Sequence, residues 1–388
     1  MREKALWLYD VYHPVSKQFH HPKIDDMFPR RDLLEKRLRE GRLSLGVDIG
    51  VIYSRPGKKR NTVPETIIIA QDPRFDKKGN LVSATYRPDR RITEYPVVID
   101  HAIHFFRYPG PDGDQPEQAW GVGIDPNRAI NAPTVQQYGN DKEAAIRDIL
   151  EPLGVTVKSY TFNELEAMAD AWKNNAVIIK HNSESQSKNI QVVPSMEAIP
   201  ELKKNKNYVF QPYLNLKGHI PGLVPLTQAY ASQLEAFNPN DPREINPCLK
   251  EVRMHFFIRT KNGKTVVDAF PTLSTSDPGA EYVTRRDWTP LDPDAFRERY
   301  PHVYNGTIKV ARKLIEQAGV QNAYGVADWG IGTHKTKEKE IMQVIIDFNC
   351  RGPYLVPDLK TGRESLTPTQ QEFTDTIEDI AETALQAA

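Results

Sequence analysis

Residues 324–354 read YGVADWGIGTHKTKEKEIMQVIIDFNCRGPY. Tyr324, Gly325, Val326, Ala327, Asp328 and Trp329 predict a short strand and residues 333–340 a charged turn. Residues 341–349 predict a second strand, apolar and β-branched enough to be buried. The two are expected to pair as a hairpin. Positions two apart on a strand share a face, so Asp328, Asp347 and Asn349 should project together. Two carboxylates and an amide carbonyl make a hard-oxygen set suited to Mg²⁺, which keeps several waters and completes its shell from a substrate phosphate. A surface hairpin with solvated aspartates is the other reading of the same pattern.

The 388 residues are enough for two or three domains with a large buried core. Lys and Arg together number 51, as do Asp and Glu, so no overall field argues for nucleic acid or an anionic membrane as a partner. Cys248 and Cys350 are the only cysteines, and neither lies in a C-x-x-C pair. That usage argues against a disulfide scaffold or zinc ribbon and fits a reducing cytoplasm. The N-terminus lacks the apolar core of a signal peptide, and no apolar run approaches the ~18 residues of a membrane span. A soluble, cytoplasmic protein is expected. His13, His20, His21, His101 and His104 match no strong zinc spacing, so structural or surface roles are expected for them.

Working outward through the chain, residues 30–42 predict a helix ended by Gly41, among strand-like runs at 43–53, 66–70, 97–99 and 103–108. Asn140, Asp141 and Lys142 introduce an N-capped amphipathic helix that stops near Pro152. A strand at 155–160, a helix at 163–172 and a strand at 176–180 ending in Lys180 follow. The polar run 181–189 then leads to a strand at 190–193, together a hairpin flap with hydroxyl and backbone donors suited to phosphate. An exposed turn is the alternative. Residues 208–214 form a short strand bent at Pro212, a candidate hinge. Residues 217–247 are a long Pro- and Asn-containing excursion, and residues 250–259 alternate as a strand that turns at 261–264 into another. Glu251, Arg253 and His255 share its face, with Arg253 an ion-pair partner or an anion clamp. Residues 296–318 read as the longest helical pattern, and residues 367–388 as a C-terminal helix with acids early.

In this order the pieces resemble the ATP-grasp superfamily, most of all its glutathione-synthetase-like carboxylate–amine ligases, over residues 131–357. The resemblance implies an α/β (α+β) chain. Its parts would be an N-terminal α/β domain (1–132), a small central domain with a phosphate flap (133–210) and a C-terminal mixed-sheet domain (211–388). It further implies that Lys142 and Lys180 hold nucleotide phosphates and that Ser183, Ser185 and Ser187 lie in the phosphate-covering flap. Gln211, Tyr213 and Leu214 would receive adenine at the inter-domain hinge. Arg253 and Arg351 would face the reacting phosphate and oxyanion, and Asp328, Asp347 and Asn349 would bind two Mg²⁺, with Mn²⁺ as a substitute. The flap lacks the family's glycines, Asp347 stands where a glutamate is usual, and Pro212 occupies the place of a ribose-binding acid.

The implied activity is an ATP- and Mg²⁺-dependent ligase. It would join a small-molecule carboxylate, of an amino acid or short peptide, to an amine through an acyl phosphate, releasing ADP and phosphate. A homodimer is the arrangement common in related folds. A small-molecule kinase of the same superfamily, or a nucleotide-binding protein without turnover, are the alternatives. The 217–247 excursion is the candidate for substrate choice.

Overall fold

The computed structural model describes residues 4–10, 31–53, 66–75, 81–87, 94–101, 125–172, 176–182, 190–212, 248–261, 263–278, 287–334, 337–350 and 367–387. Three sheets organise them. The first begins with β1 (Lys4–Asp10), crosses through helix α1 (Arg31–Glu40) to β2 (Gly46–Tyr53), and continues as β3 (Thr66–Phe75) and β4 (Leu81–Arg87). It then returns as β5 (Val97–His101) and β6 (Ala129–Ile130). The strand order is β4-β3-β2-β1-β5-β6. Pairings around β1 and β5 are parallel, and β3 and β4 extend the sheet antiparallel. Leu34 and Leu38, one helical turn apart, turn α1 onto Ala5, Val47 and Ile99. Asp48, fully buried, is paired with Lys4 Nζ at 2.7 Å and accepts a hydrogen bond from the Tyr95 hydroxyl at 2.8 Å.

The chain next builds α2 (Pro133–Asn140) and α3, which opens as a single α-turn at Lys142–Ala144 and continues as a π-helix over Ala145–Leu150. Asp141 caps it, its carboxylate accepting from Ala144 N at 3.1 Å. The N-cap matches expectation, whereas the wide π-turn has no signature in the periodicity. Thr161 and Glu164 form a capping box for α4 (Phe162–Glu166), followed by α5 (Ala169–Trp172). β7 (Val177–His181), β8 (Gln191–Val193) and β9 (Tyr208–Pro212) make a small antiparallel sheet in the order β8-β7-β9. Val177, Ile179, Val193 and Phe210 close its own core with Leu165.

The third sheet holds β10 (Cys248–Lys261), β11 (Lys264–Pro278) and β12 (Asp287–Pro290), then α6 (Pro293–Arg299) and α7 (Pro301–Ala318). β13 (Ala323–His334), β14 (Lys337–Asn349) and α8 (Pro368–Gln386) follow. Its order is β12-β11-β10-β13-β14, antiparallel throughout. The expected 261–264 turn is present, with Gly263 at φ 71° supplying the left-handed residue. Both hairpin strands of the 324–354 stretch extend further into the turn than their apolar residues suggest. The C-terminal helix, at 19 residues, is one longer than α7 at 18, reversing the expectation that the helix before β13 is the longest.

The two faces of this sheet are covered differently. Val303, Val310 and Leu314 of α7 pack on Val252, Met254, Phe256 and Ala327, and the Trp329 indole N–H donates to Thr307 Oγ1 at 3.0 Å. On the other face Phe257 stacks on Tyr324 at 4.7 Å, and Phe373 of α8 packs edge-on against both. α8 also reaches the first sheet through Ile377, Ile380 and Ala381. Its buried Glu378 and Asp379 meet Arg42 and Arg259. Arg42 Nη2 lies 2.6 Å from Asp379 and Arg259 Nε 2.8 Å from the same carboxylate. Hydrogen bonding to Asp379 raises the Arg42 pKa above its ordinary value.

The architecture is therefore mixed α/β, with one largely parallel and two antiparallel sheets. No described helix is long and apolar enough to cross a membrane. The predicted strand at 155–160 is absent: those residues form two isolated bridges instead, Thr156 to Ile345 and Tyr160 to Phe210.

A Cβ at Gly325 would run into the ring of Phe256, which is fully buried and stacked on Phe348. Gly325→Ala is expected to lower unfolding free energy by about 1–3 kcal/mol. Urea denaturation would show it as a reduced midpoint at an unchanged slope.

Candidate active site

β14 is the edge strand of the third sheet, and a groove runs beside it. The groove has apolar walls from Ile146, Leu150, Ile345 and Phe348 and a polar end at Lys142, Lys180 and Asp347. Three separated segments supply that polar end. Lys142 opens α3, Lys180 lies near the end of β7, and Asp347 lies near the end of β14.

Asp328 and Asp347 are direct cross-strand partners, and Asn349 stands opposite Val326, two places along the same face. Arg253 pairs with Asp328 across the other edge of β13. The Arg253 guanidinium grips Asp328 with both arms, Nε to Oδ1 at 2.6 Å and Nη2 to Oδ2 at 2.7 Å. Lys142 Nζ reaches Asp347 Oδ1 at 2.6 Å.

A β-bulge makes room for the second lysine. Asp347 opposes Asp328, but Ile345 opposes Trp329, so Ile346 is the extra residue. Its carbonyl, turned from the regular ladder, accepts the hydrogen bond of Lys180 Nζ. The bulge also sends Ile345 into the core beside Trp329 while Asp347 faces the site.

Burial alone would push the Asp347 carboxyl up, but Lys142 and Lys180 beside it, with Arg253 further off, outweigh this and hold it below the ordinary carboxylate range. Although deep in the cleft, its side chain keeps 43% of its surface open to solvent. Under this charged layer lies a neutral one. His255 is fully buried, its Nδ1 3.0 Å from the Tyr324 hydroxyl and its Nε2 3.3 Å from Thr272 Oγ1. Burial, aided by the Arg253 charge, drives the His255 pKa well down, and burial drives the Tyr324 phenol well up, so neither ionises near neutrality.

Other parts of the site come from Asn182 and Thr156, which the sequence did not single out, and from Gln211, which it placed at the hinge. Asn182 ends the strand segment of Lys180 and caps the helix of Lys142, its carbonyl accepting from Lys142 N at 3.1 Å and its Oδ1 from Glu143 N at 2.8 Å. The partners are 39 positions apart, too far for any local signal. Thr156 Oγ1 donates to the Ile345 carbonyl at 2.8 Å, and Gln211 Nε2 donates to the Val157 carbonyl at 3.0 Å. The side chain of Gln211 thus braces the groove. Ser183, Ser185, Ser187, Tyr213, Leu214, Arg351 and the 217–247 excursion lie outside the described residues.

The donor set fits a hard dication: two carboxylates face each other across adjacent strands, with an amide two residues on. Among the described residues no group of three or more His, Cys, Asp and Glu side chains is placed to hold a metal. Asn349 and a phosphate oxygen would have to complete the shell.

No family model and no curated protein matches the chain. Among solved structures it is similar to macrocyclase MdnC bound with precursor peptide MdnA from Microcystis aeruginosa MRC. That match has 13% identity over 96% of this chain and 99% of that one, at a TM-score of 0.42. D-cycloserine synthetase DcsG matches at 11% identity over 98% and 99% of the two chains, with a TM-score of 0.45. Phosphoribosylamine–glycine ligase from Thermotoga maritima matches at 10% over 98% and 75%, with a TM-score of 0.43. These scores leave the functional reading to rest on the chain's own side chains.

Because the folded state holds Asp347 ionised to lower pH than the unfolded chain, the pair with Lys142 contributes stability that is fully present above the ordinary carboxylate value and is lost as pH falls from there through the depressed folded value. In Lys142→Met the Asp347 carboxyl is expected to titrate at higher pH, followed by ¹³C NMR of the labelled aspartates.

Proposed function

We propose that the chain is an ATP-grasp ligase that uses ATP and Mg²⁺ to join a carboxylate to an amine. The observation that supports this most is the convergence of Lys142, Lys180 and Asp347 from three distant segments at one end of an apolar-walled groove, with the Asp328–Arg253 pair alongside. A flat, largely apolar base would lie against these walls and direct its phosphates to the lysines.

A carboxylate is a poor acyl donor until its oxygen is turned into a better leaving group. Phosphoryl transfer from ATP gives an acyl phosphate, which the amine attacks with loss of phosphate. Asp328, Asp347 and Asn349 would hold Mg²⁺, which when bound neutralises phosphate charge. Lys142 and Lys180 bind the phosphates, and Arg253 orients the transferred group and steadies the oxyanion of the tetrahedral stage. Ile146 and Leu150 exclude water from the base. No side-chain nucleophile is needed.

ATP consumption with Mg²⁺ against amino acids and short peptides, singly and in pairs, tests this. ADP and free phosphate are expected only when acid and amine are both present. ADP without free phosphate would mean a kinase, and AMP with pyrophosphate would overturn the acyl-phosphate route. Lys180→Met and Asp347→Ala are each expected to lower turnover by about a hundredfold or more while circular dichroism stays that of the parent protein.

A further inference from the structure

Each candidate metal ligand with a charge is held by a cation that the phosphates would also want. Arg253 holds Asp328 through two short bonds, and Lys142 holds Asp347 through one. Both ends of the first pair are nearly buried, with side-chain exposures of 13% and 5%. Separating such a pair without new partners is costly, because each charge is left in a poorly solvated place.

From this we infer that the site loads by exchange of partners: dication and polyphosphate bind together, and each binds weakly alone. The inference rests on the nucleotide reading above and goes beyond it to the order and coupling of binding. A dication arriving alone would draw Asp328 and Asp347 from their partners and leave Arg253, Lys142 and Lys180 facing one another. A polyphosphate arriving alone would draw off the cations and place its oxygens against two carboxylates. When both arrive, the carboxylates turn to the metal and the cations to the phosphates, so every charge keeps an opposite neighbour. The pairs therefore act as stand-ins, with Lys142 and Arg253 occupying the metal's position in charge and the two aspartates occupying the phosphates'.

The test is made on binding. Mn²⁺ binding is followed by electron paramagnetic resonance with and without adenylyl imidodiphosphate, and analogue binding by calorimetry with metal and with chelator. Beyond the affinity of Mn²⁺ for the analogue in free solution, each is expected to tighten the other's binding to the protein by about tenfold or more. Lys142→Gln should separate the effects: Mn²⁺ alone binds about three- to tenfold tighter, the metal-free analogue binds weaker, and the mutual enhancement shrinks. Lys142 is the residue of choice because Asp347 keeps solvent access when its partner is removed. An unchanged thermal midpoint checks that the variant is folded. Arg253→Lys, which keeps the charge and loses the fork, should move the Mn²⁺ affinity in the same direction. If both ligands bind the parent protein with no mutual effect beyond their affinity in free solution, or if Lys142→Gln leaves Mn²⁺ affinity unchanged, the exchange is wrong and the nucleotide reading stands. If analogue and Mn²⁺ together fail to bind the parent protein, both fall.

Discussion

In-register pairing of β10, β13 and β14 is the constraint on which the rest of the molecule depends. Arg253 opposite Asp328, and Asp328 opposite Asp347, put a cation and two carboxylates in one row across three strands. A slip of one residue would send that row to the face covered by α7 and expose the apolar set in its place. The same alternation provides the aromatic layer further along the face, where Phe257 and Tyr324 receive Phe373. Charge chemistry and core thus occupy successive positions on the same strands.

The hairpin was legible because its strands carry apolar, β-branched residues between punctuating charges, and the cap at Asp141 because an Asx residue before a helical period has one usual meaning. Lys142, Lys180 and Asp347 meet at the groove, with Asp328 and Arg253 in the adjoining row of the sheet, while the roles assigned to all five are a proposal. What could not be read was non-local. The π-turn through Ala145–Leu150 has no marker residue, and the bulge at Ile346 breaks a period of two inside a run of isoleucines. Residues 155–160 have the composition of a strand, yet their hydrogen bonds go to two different sheets. β1 falls outside the strand-like runs that the sequence marks in the N-terminal domain.

The ends of the chain meet through charge. Arg37 lies on α1 and Arg42 in the turn between α1 and β2, Arg259 lies on β10, and all three turn to the acids of α8. Glu378 and Asp379 are buried with these partners around them, in keeping with the rule that charge enters an interior only with company. α8 is in this way a shared wall between the first and third sheets, apolar through Ile377 and Ile380 and ionic through its neighbours.

The bridging segment 155–160 has a geometric consequence. The start of the segment is fastened to β14, where Ile345 N–H donates to the Val155 carbonyl and the Thr156 hydroxyl to the Ile345 carbonyl, and Tyr160 is fastened to β9 by paired backbone bonds with Phe210; both strands line the groove. Only four peptide steps separate the two fastenings, a reach of at most about 14 Å fully drawn out. The segment is a tether of fixed length: it limits how far β9 and β14 can part along this wall of the groove, and that limit is written into six residues of backbone.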